Sequence, residues 1–178
     1  KYIGTNGVVA YGIIMYVGFI FVGTYMGYAV GSAPVISYHY GAGNKDELKN
    51  LFKRSLTIII VSSVVMTLIA EIIAGYLAGI FVSYDNNLLE LTTEAIRIYA
   101  VSYLISGINI FASSFFTALN NGVVSAVISF MRMFVFQIVM ILLLPVVLGI
   151  SGIWTAVIAA EVLSVVISVM FLVKNRKK

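Results

Sequence analysis

Cysteine is absent from this 178-residue chain, and histidine occurs once, as His39. The first absence excludes disulfides, thiolate nucleophiles and cysteine-ligated metals. The second argues against zinc, whose sites usually gather three or four nitrogen or sulfur ligands. Charge is also scarce: Asp, Glu, Lys and Arg make up 10% of the residues, against about 25% in soluble domains. No long apolar run holds Asp, His or Lys in its central part. An intramembrane protease needs a serine with His or Lys at depth, or paired aspartates, so that class is excluded. No enzyme and no bound cofactor are expected.

Apolar sequence fills the space. It reaches 61%, against about 45–50% in soluble proteins, in blocks of the ~20 residues that a bilayer-crossing helix needs. The blocks between charged breaks predict five spans, at about 7–37, 54–82, 94–119, 122–147 and 150–173. The runs are too continuous for barrel strands, the only other solution in lipid. The fold class is therefore all-α, a polytopic integral membrane helix bundle. Asn44 with Glu47, and Asn87 with Glu90, read as capping boxes at helix starts. "NNG" at 120–122 and "LGISG" at 148–152 are tight turns that force antiparallel hairpins.

The basic residues orient the bundle. Lys45, Lys49, Lys53 and Arg54 follow the first span, and Lys174, Arg176, Lys177 and Lys178 close the chain. Segment 83–93, on the other side, holds Asp85 and Glu90 and no basic residue. The positive-inside rule then puts the first loop and the C-terminus in the cytoplasm, as expected of a multi-pass protein of the inner (plasma) membrane. The net charge of +4 thus reflects topology, and no nucleic-acid partner is expected. The glycines of "YGAGN" lack the preceding strand and fingerprint of a phosphate cradle, and His39 reads as a solvated or interfacial side chain. The opening on Lys1 in place of Met points to a segment of a longer protein.

Three spans carry polar stripes at helical spacing: Ser102, Ser106, Asn109, Ser113 and Thr117; then Ser125, Ser129 and Arg132; then Glu161, Ser164 and Ser168. Hydroxyls on one stripe are ordinary glue between membrane helices. Three stripes together, two with charge, lead to the expectation of a central aqueous cavity. Arg132 and Glu161 sit near mid-bilayer, where a charge costs at least ~2.5 kcal/mol. Their depths differ by roughly 6 Å, close enough for an intramembrane ion pair or for two charges sharing one cavity. Glu71 lies nearer the outer interface and reads as a solvated end. Gly23, Gly27 and Gly31 form a small-xxx-small stripe that permits close helix approach. Pro34 is expected to kink the first helix, and Trp154 to anchor at the interface. Tyr103, Phe111, Phe115, Met131 and Met133 are expected to offer an adaptable surface to flat cations.

Three segments carry a family resemblance: "SAPVISYHYGAGNKDELKNLFKRSL", "EAIRIYAVSYLISGINIFASSFFTALNNG" and "LLLPVVLGISGIWTAVIAAEVLSVVISVMFL". In order and spacing they resemble the C-terminal half of bacterial MATE (multidrug and toxic compound extrusion) transporters. The resemblance implies a twelve-helix protein of two six-helix lobes, of which this chain would supply the last five helices. The seventh helix and the N-terminal lobe would be its missing partners. It implies antiport of cationic or amphipathic compounds against H+ or Na+. Aligned on "FFTALNNG", the family's acidic position in the tenth helix falls at Ser106, so coupling would lie in the other lobe or use Glu161. The candidate cavity set is Ser106, Asn109, Ser113, Arg132, Glu161 and Ser164. Two alternatives are a lipid-linked oligosaccharide flippase of the same superfamily and a membrane assembly subunit that transports nothing.

Overall fold

The computed structural model describes residues 4–176. Helix α1 runs Gly4–Gly41, α2 Lys45–Val82, α3 Asn86–Ala100, α4 Tyr103–Ala118, α5 Gly122–Phe130, α6 Gln137–Leu148 and α7 Ile150–Arg176. A π-helical turn, Met131–Phe136, joins α5 directly to α6, and no strand occurs among the described residues. Helices α1 and α2, the composite Gly122–Leu148, and Ile150–Lys174 are each long and apolar enough to cross a membrane, and α3 with α4 makes a bent fifth span. The chain is an all-α polytopic membrane bundle. Of the basic tail, Lys177 and Lys178 lie outside the described residues.

Helix α2 has 38 residues, or about 57 Å of helix, well beyond the ~30 Å of hydrocarbon. Its first turns therefore project from the span. There Leu48 and Phe52 pack on the core while Lys49, Lys53 and Arg54 stay exposed. Asn44 caps it, its side chain accepting from the Glu47 N–H at 3.1 Å. The second expected cap is corrected. Asp85, not Asn87, caps α3 from an extended backbone and accepts from the N–H groups of Asn87 and Leu88 at 2.9 and 3.1 Å. A carboxylate at this position also meets the positive end of the helix dipole, which an asparagine amide does less well.

The third span is broken, where an unbroken helix over 94–119 was expected. α3 and α4 meet at 47° across Val101 and Ser102. No glycine or proline marks the place; neighbouring hydroxyls make it tolerable. In lipid, carbonyls freed by a break need partners from within the protein. Thr67 of α2 donates to the Ala100 carbonyl at 3.3 Å. Tyr25 of α1 donates to the carbonyl of Tyr103 at 3.1 Å, and the Ser106 hydroxyl to that of Ser102 at 2.8 Å, which also accepts the N–H groups of Ile105 and Ser106. Three hydroxyls thus hold the bend from three directions.

Small residues set the close packing. Ala70, Ala74 and Ala78, one face of α2, are fully buried, as are Ala95 and Ala100 on α3. Aromatics fill the wider gaps: Phe52, Phe111, Phe115 and Phe116 touch in series between α2 and α4, and Phe171 joins them from α7. Phe21 stacks on Tyr103 at 4.6 Å. This corrects two expectations. Tyr103, Phe111 and Phe115 are core residues and offer no surface to a cation. Trp154, only 3% exposed, is core as well and anchors at no interface. Gly23, Gly27 and Gly31 face outward, and a Cβ on any of them would meet nothing within 4 Å, so the stripe packs on no described helix. Helix α1 continues through Pro34 to Gly41.

The last hairpin depends on two glycines. Gly149, at φ +62°, ends α6 and donates its N–H to the Pro145 carbonyl at 3.1 Å. Gly152 brings α7 against α6 so closely that a Cβ there would strike the Leu144 carbonyl and lie 2.8 Å from the Pro145 nitrogen. Backbone cannot yield as a flexible side chain does, so Gly152→Ala should lower the melting temperature in detergent by about 3–10 °C. Gly79→Ala, on open space in α2, should leave it unchanged or slightly raised; thermal unfolding of both variants checks this.

Candidate functional site

The polar residues of α4, the π turn and α7 meet inside the bundle. On α7, Glu161, Ser164 and Ser168 share one face by helical spacing; on α4, Asn109 lies opposite. Arg132 projects from the π turn. Its Nε lies 2.9 and 3.0 Å from the two Glu161 oxygens, and its Nη2 lies 2.7 Å from Oε1. This fork-on-fork pairing is the strongest arrangement the two groups have.

Asn109 completes the shell. Its Nδ2 donates to Glu161 Oε2 at 2.7 Å and to the Glu161 backbone carbonyl at 3.1 Å, and Ser168 donates to its Oδ1 at 2.9 Å. The amide orientation follows from the network: the flipped form would set Oδ1 against a carboxylate and leave Ser168 facing a donor. Asn109 is fully buried and Glu161 6% exposed, while the Arg132 side chain keeps 16% exposure. The pair is the one salt bridge among the described residues. Three segments distant in sequence are thereby locked in depth and rotation.

The other candidates serve elsewhere. Ser113 belongs to a separate hydroxyl cluster, 2.9 Å from Ser125 Oγ and 2.7 Å from Ser129 Oγ, with Thr117 2.7 Å from Ser125. Ser106 donates back to Ser102 at the bend and does not reach the charges. Ser164 is buried on the Glu161 face, and its hydroxyl has no protein partner. Met131 lines an apolar groove of about 320 Å³ between α5 and α7 that ends at Lys174, and Met133 is exposed. No group of three or more metal-ligating side chains occurs among the described residues.

The stripes turn toward one another and engage most of their polar atoms in mutual hydrogen bonds, because α4, α5 and α7 pack directly; Thr117 stays exposed and Ser113, Ser129 and Arg132 half-buried. Sequence reasoning also left Ser168 out of the candidate set, although its seven-residue spacing from Glu161 placed it on the same face. The π turn that aims Arg132 carries no local signal at all.

A bent span, a tight last hairpin and a mostly buried ion pair thus characterise this membrane helix bundle. The chain belongs to the MatE family, whose model matches residues 1–143. Among solved structures it is similar to the Vibrio cholerae MATE transporter VcmN. In its bent form the TM-score is 0.86 at 19% identity, covering 94% of this chain and 38% of that one. An aspartate-to-asparagine mutant of VcmN gives 0.89 at 19% identity, over 98% of this chain and 40% of that one. An inward-facing multidrug resistance MATE family transporter of the MOP superfamily gives 0.80 at 17% identity, over 91% and 37%. The chain therefore spans about two fifths of the length of these transporters, as one lobe would. No curated protein matches the sequence.

Removing one member of a buried pair leaves an uncompensated charge and costs about 3–5 kcal/mol, whereas removing both is often neutral. Arg132→Met and Glu161→Leu should each lower stability strongly, and the double variant should recover most of the loss. Thermal unfolding of the four proteins in detergent measures the coupling.

Proposed function

We propose that this chain is the C-terminal lobe of a secondary-active efflux antiporter that exports cationic or amphipathic compounds in exchange for H+ or Na+. The observation that carries the reading is Glu161, a carboxylate at membrane depth held by Arg132 and Asn109, in a chain of the MatE family. Ionisable groups at such depth are expensive and as a rule functional. The pair also makes the resting lobe electrically neutral at that depth, so the lobe can rock without dragging net charge through hydrocarbon.

The mechanism is alternating access between this lobe and the other, with the bilayer as solvent and the cytoplasm holding the C-terminus. The network and the bend tie α1, α2, α4 and α7 together, so these four helices move as one body. Exporting a monovalent cation against 100 mV costs about 2.3 kcal/mol, plus ~1.4 kcal/mol per tenfold gradient. One entering proton or sodium ion offsets the electrical part. Glu161 is the group in this lobe at which such an ion competes with Arg132. The flippase alternative wants several free basic groups to meet a pyrophosphate; Arg132 is the only candidate, and Glu161 occupies it.

The test is gradient-driven export of a fluorescent lipophilic cation by the full-length transporter in proteoliposomes. Glu161→Gln should reduce gradient-dependent transport by roughly tenfold or more, the scale of about 1.4 kcal/mol or above. Undiminished transport would assign coupling to the other lobe.

A further inference from the structure

Nothing in the local sequence accounts for the π turn. "MRMFVF", residues 131–136, contains neither glycine nor proline, and none of its residues is buried. A π turn holds one residue more than the α-helical turn it replaces, is rare, and gathers at functional sites. Packing of buried side chains does not hold this one. Its single polar side chain, Arg132, makes three hydrogen bonds to Glu161.

We propose that the π turn and the ion pair form one two-state clamp. With the pair made, residues 131–136 are π-helical; with the pair broken, the turn reverts to α-helix and α5 rotates by one residue, about 100°, around its axis. Absorbing the extra residue requires one flank to move, and the ends of the span decide which. α6 is anchored through the Gly149 turn and the backbone crossing at Gly152, where not even a methyl group fits. α5 is tied by Ile128, which is buried, and by hydroxyls: Ser113 meets the Ser125 carbonyl at 3.2 Å and the hydroxyls of Ser125 and Ser129 at 2.9 and 2.7 Å. Hydroxyls exchange partners readily, and a backbone crossing does not. The rotation therefore carries Ser125 and Ser129 away from Ser113. This inference is independent of the transport reading; to that reading it adds a route by which a cation competing for Glu161 turns a helix.

The absence of cysteine from this segment makes the clamp measurable. Ser113→Cys and Ser129→Cys, introduced together into the full-length protein, place two sulfurs where hydroxyls now touch. Mild oxidation followed by counting free thiols with a polyethylene-glycol maleimide reads the fraction joined. The pair-intact protein should cross-link efficiently, and adding Glu161→Gln should lower the joined fraction by roughly fivefold or more. Deleting Val135 from the Glu161→Gln protein removes the extra residue, so a plain α-helix fits between fixed ends and cross-linking should return. Misfolding caused by Glu161→Gln would not be repaired by a deletion. Cross-linking undiminished by Glu161→Gln, or lost and not restored by the deletion, overturns the clamp.

Discussion

A guanidinium and a carboxylate at the depth of hydrocarbon must satisfy each other, and the rest of this lobe is arranged around that requirement. Arg132 and Glu161 are each several kcal/mol too costly to leave alone in an apolar interior. Their pairing fixes the rotation of α7 and the aim of the π turn. Asn109 and Ser168 fill the remaining donor and acceptor sites, which brings α4 into the same lock. Four side chains thus set the relative depth of three segments that the loops alone would leave free to slide.

The same rule governs the backbone. Where α3 breaks from α4, Thr67 takes the Ala100 carbonyl, and the Tyr25 and Ser106 hydroxyls add bonds to the carbonyls of Tyr103 and Ser102. Where α5 meets α4, serine hydroxyls close on one another. Most hydroxyls of the three stripes therefore fasten one backbone or helix to another, while Ser63, Thr92 and Ser164 are buried without a protein partner.

Much of this was legible in the sequence, for identifiable reasons. The spans follow from apolar runs that only a bilayer accommodates, and the Asn44 cap from its three-residue spacing to Glu47. The meeting of Arg132 with Glu161 follows from depth counted from a short hairpin. Side-chain direction was harder. Tyr103, Phe111, Phe115 and Trp154 have the same composition whether they face core, lipid or ligand, and tertiary packing alone decided for the core. The bend at Val101 and Ser102 was invisible because its cause is in α1 and α2, far away along the chain. The π turn was invisible because its cause is in α7. Asn87 lost to Asp85 as a cap, since both patterns fit the helix start and charge favoured the acid.

The central claim is that, in the resting lobe, the face formed by Asn109, Glu161, Ser164 and Ser168 is closed to water, with Arg132 at its partly exposed edge. Ser164, 1% exposed on the Glu161 face, reports on it most directly. In the full-length protein in native membranes, a cysteine placed by Ser164→Cys should resist a charged, water-soluble methanethiosulfonate reagent and react only after unfolding. Rapid modification in the folded protein would show that water reaches the network and would contradict the account.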